Sequence, residues 1–218
     1  MQNNWKFKFA YSALTMELDS YIAHVKKVDS LLETEKSDFE KHLQDNIAQM
    51  SALDGVAYTD YMHDEYWELS ETLPSIQRKS ELISVYTILE NGLNKICKIF
   101  QDQLQNPVKI SDLSAYGIID KSKKYLEKVA LLEFPAGKGS CWEEITLIQQ
   151  IRNALVHNEG FVKPRNESLA EYIKSSKYLE LNSDSKVLIK KGFSWYCLQL
   201  FQDFFTSLFV EIKRATKI

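Results

Sequence analysis

Residues 75 to 105 read Ser75-IQRKSELISVYTILENGLNKICKIFQDQL-Gln105, and this stretch decides the fold. Leu82, Val85 or Tyr86, Leu89, Leu93, Ile96 and Phe100 recur at steps of three or four, with Ile83, Tyr86 and Cys97 on the adjoining stripe. That period is helical, and the apolar face is wide enough to need cover from several neighbours. Pro74 falls in the first turn, where its missing N–H costs nothing, and Asn106-Pro107 ends the segment. Glu90 lies on the second stripe between Tyr86 and Cys97, where a solvated carboxylate is out of place. It either snorkels to a lysine at the rim or serves a function.

Downstream, Ile118, Ile119, Tyr125, Leu126, Val129 and Leu132 mark a helix halted by Phe134-Pro135-Ala136-Gly137. Gly137-Lys138-Gly139-Ser140 has neither the leading glycine nor the preceding strand of a phosphate loop, so it reads as a loop feeding a helix. That helix runs from Ser140 or Cys141 to about Asn158, with Trp142, Ile145, Ile148, Ile151 and Leu155 on its apolar side, and stops at Gly160. A short helix around Leu169 to Ile173 follows. Tyr178–Leu181 and Lys186–Ile189 then flank a polar turn as a small β-hairpin, and Phe193 to Arg214 is a strongly apolar closing helix.

Upstream, Leu14, Leu18, Val25, Val28 and Leu32 predict a helix over roughly 11–33. A second run, with Phe39, Leu43, Ile47, Met50 and Leu53, starts at Ser37-Asp38, ends at Asp54-Gly55 and is expected to fold back as an antiparallel partner. Tyr58 to Leu73 is aromatic and acidic, a short helix or structured loop ending at Pro74. The expected architecture is an all-α helical bundle with one short β-hairpin before the C-terminal helix. Residues 1–72 form an N-terminal helical hairpin extension and residues 73–218 the main helical domain.

Composition narrows the function classes. The 218 residues carry 27 Lys plus Arg against 30 Asp plus Glu, a formal charge of -3, which excludes a uniformly basic nucleic-acid binder and leaves room only for a local phosphate site. Seven glycines and four prolines supply few turns, against an all-β or Rossmann fold. Cys97, Cys141 and Cys197 are far apart and odd in number, so neither a disulfide framework nor a zinc site is proposed; they read as buried thiols in a reducing compartment. The N-terminus has no signal-peptide pattern and no 18-residue stretch is free of charge, so a cytoplasmic protein without membrane contact is expected.

Of four histidines, His24, His42 and His63 lie on charged surfaces without a second ligand at i+3 or i+4. His157 closes the helix ending Ile151-Arg152-Asn153-Ala154-Leu155-Val156-His157-Asn158-Glu159-Gly160. Asn153 and His157 are i, i+4 neighbours, so the amide could hydrogen-bond the ring and fix its tautomer. Arg152 stands about 100° around the helix, but its long side chain can reach a phosphate that the imidazole also touches. Four arginines against 23 lysines make an arginine on this apolar helix unlike a generic solvating charge. An imidazole titrating near ~6.5 can take a proton from a ribose 2′-OH or give one to a leaving 5′-oxygen, and a guanidinium can hold the developing pentacoordinate phosphate. No metal or other cofactor is required for such phosphodiester cleavage. The competing structural reading has His157 offsetting the helix dipole and Arg152 in an intramolecular ion pair. Lys163 and Arg165, with the lysines around 121–128, could supply the local positive field or a merely solvated face.

Arg152-Asn153-Ala154-Leu155-Val156-His157 resembles the Arg-polar-x3-to-5-His motif of the HEPN superfamily (higher eukaryotes and prokaryotes nucleotide-binding), an all-α group that includes many metal-independent ribonucleases. Leu73-Pro74 through Cys97, with Tyr86-Thr87-Ile88-Leu89-Glu90-Asn91-Gly92-Leu93, is similar to the early core helix of bacterial HEPN proteins. The resemblance covers roughly 73–218 and leaves the first 72 residues unexplained. It implies a homodimer in which Arg152, Asn153 and His157 of both chains share one cleft, with RNA as substrate and 2′,3′-cyclic phosphate and 5′-OH ends as products. Arg152 would hold the scissile phosphate, His157 would be the acid or base, Asn153 would orient the ring or touch RNA, and Glu90 would pair with Arg152 before substrate arrives. The implied setting is a bacterial toxin, abortive-infection or phage-defence system with an antitoxin or other partner protein. Glu159 stands where a subset of HEPN toxins carries a tyrosine modified by a nucleotidyltransferase antitoxin, so that particular partnership is not expected. Some HEPN proteins are catalytically silent nucleotide-, RNA- or protein-binding modules, which is the alternative function.

Overall fold

A computed structural model gives the structure of residues 5–104, 107–137, 139–163 and 165–216. It is mostly helical, with one two-stranded antiparallel hairpin before the C-terminal helix. The helices are α1 (Trp5–Ile47), α2 (Ala52–Tyr61), α3 (His63–Trp67), α4 (Leu73–Leu104), α5 (Ile118–Lys128), α6 (Cys141–His157), α7 (Glu167–Ser175) and α8 (Phe193–Thr216). The strands are β1 (Leu179–Leu181) and β2 (Val187–Ile189), with Glu180 opposite Leu188.

The first 50 residues correct the expected hairpin. One continuous helix of 43 residues replaces the two runs at 11–33 and 37–53, and the reversal falls at 48–51. Ser37 and Asp38 resemble a helix start, yet both side chains face solvent, where they do not compete with the backbone ladder, and no Gly or Pro interrupts it. Lys36 and Glu40 add an i, i+4 pair at 3.8 Å across the same point. The true cap is Ser51, whose Oγ accepts the Asp54 N–H at 3.2 Å. Gly55 lies inside α2, where a Cβ would stand 3.2 Å from Ile47 Cγ2, so it serves close packing.

Pro74 is the second residue of α4, in the first turn where it is expected, but the helical segment before it runs on into α4 without a break. Residues 68–72 widen into a π-turn between α3 and α4, and the Leu73 N–H reaches back to the Glu68 carbonyl. The wider turn gives room for a pyrrolidine ring that would strike the carbonyl four residues earlier in an α-helix.

α4 and α8 run through the centre, packed on each other and both on α1 and α6, while α5 covers another side of α4. Phe134, Trp142, Phe204 and Phe205 meet in an aromatic cluster, with Phe204 5.3 Å from the centroids of both Trp142 and Phe205. Gly92 lets α4 approach this layer, since a Cβ there would lie 2.8 Å from Phe205 Cζ. The N-terminal part of α1 belongs to the same core through Phe7, Ala10, Leu14, Leu18 and Val25. Past Val25 α1 has no buried residue, so its last ~33 Å, with α2 and α3 folded against it, forms an arm. Cys97 and Cys197 are buried free thiols and Cys141 is half-buried. Among the described residues no helix is long and apolar enough to cross a membrane.

Glu81, only 6% exposed, sits between α4 and α1 with Gln77 Nε2 donating to it at 3.1 Å. Burial pushes its carboxyl above the ordinary range, Gln77 pulls it back in part, Asp29 reinforces the rise and His24 opposes it. Between the ordinary value and the raised one the native chain binds more protons than the unfolded chain, so stability falls as pH rises through that window. Glu81→Gln keeps the shape and the acceptor for Gln77. Thermal melts should show it more stable than wild type at pH 7, the gap closing as pH is lowered to the ordinary carboxylate range.

Candidate functional site

Helix α6 is built to hold a polar stripe steady. Trp142, Ile145, Ile148 and Ile151 are buried at steps of three, which turns Gln149, Asn153 and His157, at i, i+4 and i+8, toward the other side. Near its start, Glu144 accepts the hydroxyls of Tyr172 at 2.7 Å and Tyr196 at 2.6 Å, tying α6 to α7 and α8. Burial, then these bonds to a carboxylate, push both phenols well above their ordinary range. At the other end the Asn158 and Gly160 N–H groups both reach the Ala154 carbonyl, and Gly160 adopts φ +86°, a left-handed conformation that glycine takes without strain. Phe161 bridges Lys186, and Val187 N–H donates to the Gly160 carbonyl, so the hairpin anchors the chain leaving His157.

Above the stripe lies a cleft of about 770 Å³. Arg152, Asn153 and His157 line it from α6, Glu90 from α4, and Lys163 and Arg165 from the following loop. The motif residues, Glu90, Lys163 and Arg165 thus open on one cavity. Three permanent cations and an imidazole face a single carboxylate there, in a chain whose formal charge is -3. Such a cleft concentrates positive potential and favours an anionic ligand.

Arg152 is held from three directions. Its Nη1 donates to Asn153 Oδ1 at 3.0 Å, its Nη2 lies 3.9 Å from Glu90 Oε2, and its guanidinium carbon stands 5.6 Å from the centroid of Tyr86. The Glu90 contact is too long for a hydrogen bond and acts as an ion pair. The stacking on Tyr86 is a cation–π contact with a fully buried ring. Burial raises the Glu90 carboxyl above the ordinary range and Arg152 draws it partly back. Burial does the same to the Tyr86 phenol, with Glu90 adding to the rise.

Two details differ from the sequence expectation. Asn153 does not hydrogen-bond the His157 ring: its oxygen accepts the hydrogen bond from Arg152 Nη1, and the imidazole, which lines the cleft, is exposed. The α5 lysines are outside the cleft lining; Lys123 lies 3.8 Å from Glu127, and Lys124 donates to the Ser114 carbonyl at 3.2 Å. Glu159 pairs with Lys186 at 2.9 Å and is not among the residues that line the cleft. His24, His42 and His63 are all exposed. Lys138, of the glycine-containing loop, lies outside the described residues; beside it, Gly139 N–H donates to Glu143 Oε2 at 2.9 Å.

Sequence reasoning missed Tyr86, Tyr116, Gln150, Phe161 and Asn166. Tyr86 precedes Glu90 by one helical turn on a shared face, a signal that was present but read as core. Gln150 accepts from Asn166 Nδ2 at 2.6 Å, and Asn166 caps α7, fixing the outer wall of the cleft. Tyr116 is 94% exposed and Phe161 is partly so, both on the lining. Nothing local marks Tyr116, since only the packing of α5 brings its loop to this rim.

The assembled groups can bind a phosphate-like anion at Arg152, exchange a proton at His157 and offer aromatic faces at the rim. Among the described residues no group of three or more His, Cys, Asp or Glu side chains is arranged to hold a metal ion. The chain matches no model of a known protein family, no curated protein and no solved structure.

Proposed function

We propose that the chain is a metal-independent endoribonuclease of the HEPN type, cleaving RNA through attack of a 2′-OH on the adjacent phosphorus. One observation carries this reading: Arg152, Asn153 and His157 share a cation-lined cleft with Glu90, Lys163 and Arg165 in a net acidic chain. In the reaction the 2′-oxygen forms its bond to phosphorus as the 5′-oxygen bond breaks, leaving a 2′,3′-cyclic phosphate and a 5′-OH. The 2′-OH gives up a proton and the 5′-oxygen takes one up; His157 carries one of these transfers and solvent the other, while Arg152 binds the charge that builds on the phosphoryl oxygens. Lys163 and Arg165 bind flanking phosphates, and Tyr116 and Phe161 offer stacking faces to unpaired bases. A homodimer with both motifs in one composite cleft, and a role as a toxin or phage-defence effector restrained by a partner protein, belong to the same proposal.

Incubation of the purified chain with total RNA and tRNA in EDTA tests it, with the product ends identified. Cyclic-phosphate ends are the expected result. No cleavage by a folded dimer that still binds RNA would favour the catalytically silent binding module instead.

Glu90 is assigned as a positioning residue, because its carboxylate pairs with Arg152 and so acts on the phosphate through the guanidinium. Glu90→Gln should slow cleavage by roughly 10- to 100-fold through a misplaced guanidinium. Unchanged cleavage by the folded variant would remove Glu90 from the site.

A further inference from the structure

The stretch from Leu43 to Gln77 carries seven carboxylates, from Asp45 to Glu71, and not one lysine or arginine. The whole chain is -3 and this stretch alone is -7, so everything else together is +4. The negative charge is therefore concentrated in the arm and the π-turn that follows it, and the arm's groove shares no lining residue with the cation-lined cleft. At the tip, the turn between α1 and α2 opens a groove of about 290 Å³ lined by Ile47, Met50, Ala52, Gly55, Val56 and Thr59, with Asp60 at its edge. Val56 is 62% exposed, and Leu53, one turn before it, is 82% exposed. Of α2, only Gly55 is buried, so the apolar side chains of this helix do little for the core of the chain itself.

We propose that this tip is a docking surface for a basic, amphipathic helical segment of a partner protein. Charge selects the occupant. A nucleic acid or an anionic lipid surface would be repelled, and a symmetric second copy would set seven carboxylates against seven. A helix with lysine or arginine on one side and leucine-like residues on the other satisfies both the apolar groove and the field around it. The groove is small for an organic ligand and suits an anchoring side chain with neighbours spread over Leu53 and Val56. The surface does not depend on any chemistry at the cleft.

The probes are three labelled 18-residue peptides: a Leu/Lys helix with leucines at i, i+3 and i+4, a scramble of the same composition, and the Leu/Glu counterpart. Fluorescence anisotropy with the full chain at physiological salt should show the amphipathic Leu/Lys peptide bound at least tenfold tighter than its scramble, and the Leu/Glu peptide not bound. Leu53→Ser with Val56→Ser, both at exposed positions, should weaken that binding at least tenfold while leaving the thermal melt unchanged. Asp60→Asn with Asp64→Asn should weaken it and flatten its salt dependence. Equal binding of helix and scramble, or full binding to the serine variant, would overturn the proposal. So would self-association of the peptide-free chain that the serine variant abolishes, since a second copy would then be the occupant. RNA cleavage by the serine variant should match wild type, so failure here and failure of the ribonuclease reading are told apart.

Discussion

Arg152→Ala and His157→Ala should each lower RNA cleavage by roughly 10²–10⁴-fold in EDTA, with the cyclic-phosphate ends disappearing from the products. The two losses have different physical origins. The imidazole lining the cleft is exposed and free to meet a ribose hydroxyl, and its removal deletes the proton transfer. The guanidinium is already oriented by Asn153, Glu90 and Tyr86, so its removal deletes a preorganised positive charge that no solvent molecule replaces at equal strength. Arg152→Lys should recover little, since an ammonium has neither the planar fork for a phosphate nor the flat face that lies over Tyr86. Single-turnover assays on 5′-labelled RNA, with circular dichroism to show the variants folded, provide the check. Equal activity in either alanine variant would place the chemistry elsewhere. In the proposed reaction both residues act on one phosphate, so the double variant should be little worse than the poorer single one.

Phe204→Ala should be the most damaging substitution to the fold, costing about 3–5 kcal/mol from a total expected near 5–15 kcal/mol. Phe204 is 1% exposed and lies within ring contact of Phe134, Trp142 and Phe205. These neighbours belong to the loop before α6, to α6 itself and to α8, so the cavity left behind cannot close by moving one side chain. Urea unfolding should show a lower midpoint, and thermal unfolding a drop of roughly 10 °C. Phe204→Leu, which keeps much of the volume, should recover more than half of the loss. Cleavage at a temperature where the alanine variant is still folded should remain within a few-fold of wild type, because Phe204 does not line the cleft.

The helices from α4 onward were legible because helical structure is written locally, except that α5 stops at Lys128, before Val129, Leu132 and the expected halt at Phe134-Pro135-Ala136-Gly137. The stripes of α4, α6 and α8, the stop at Gly160 and the hairpin at 179–189 all lie where periodicity and turn residues place them. The N-terminal hairpin was misread for a reason of the same kind. Ser37-Asp38 and Asp54-Gly55 are strong local signals, but an exposed polar pair does not break a helix that is otherwise uninterrupted, and a glycine can serve close packing as well as a turn. Pro74 lies in the first turn of α4, as its place in the sequence implies, and the π-turn before it accommodates the ring.

For the site, the sequence by itself placed Arg152, Asn153 and His157 at one helix end and marked Glu90 as anomalous on an apolar face. The Glu90–Arg152 pairing that the resemblance implies is present at 3.9 Å; only the tertiary structure decided that Tyr86 joins it, that Asn153 serves the arginine and not the imidazole, and that Tyr116 reaches the same rim. The division is physical. Helical hydrogen bonds and side-chain spacing depend on residues three or four apart, whereas a cleft is a surface left open between helices, and its shape and field exist only once those helices have packed.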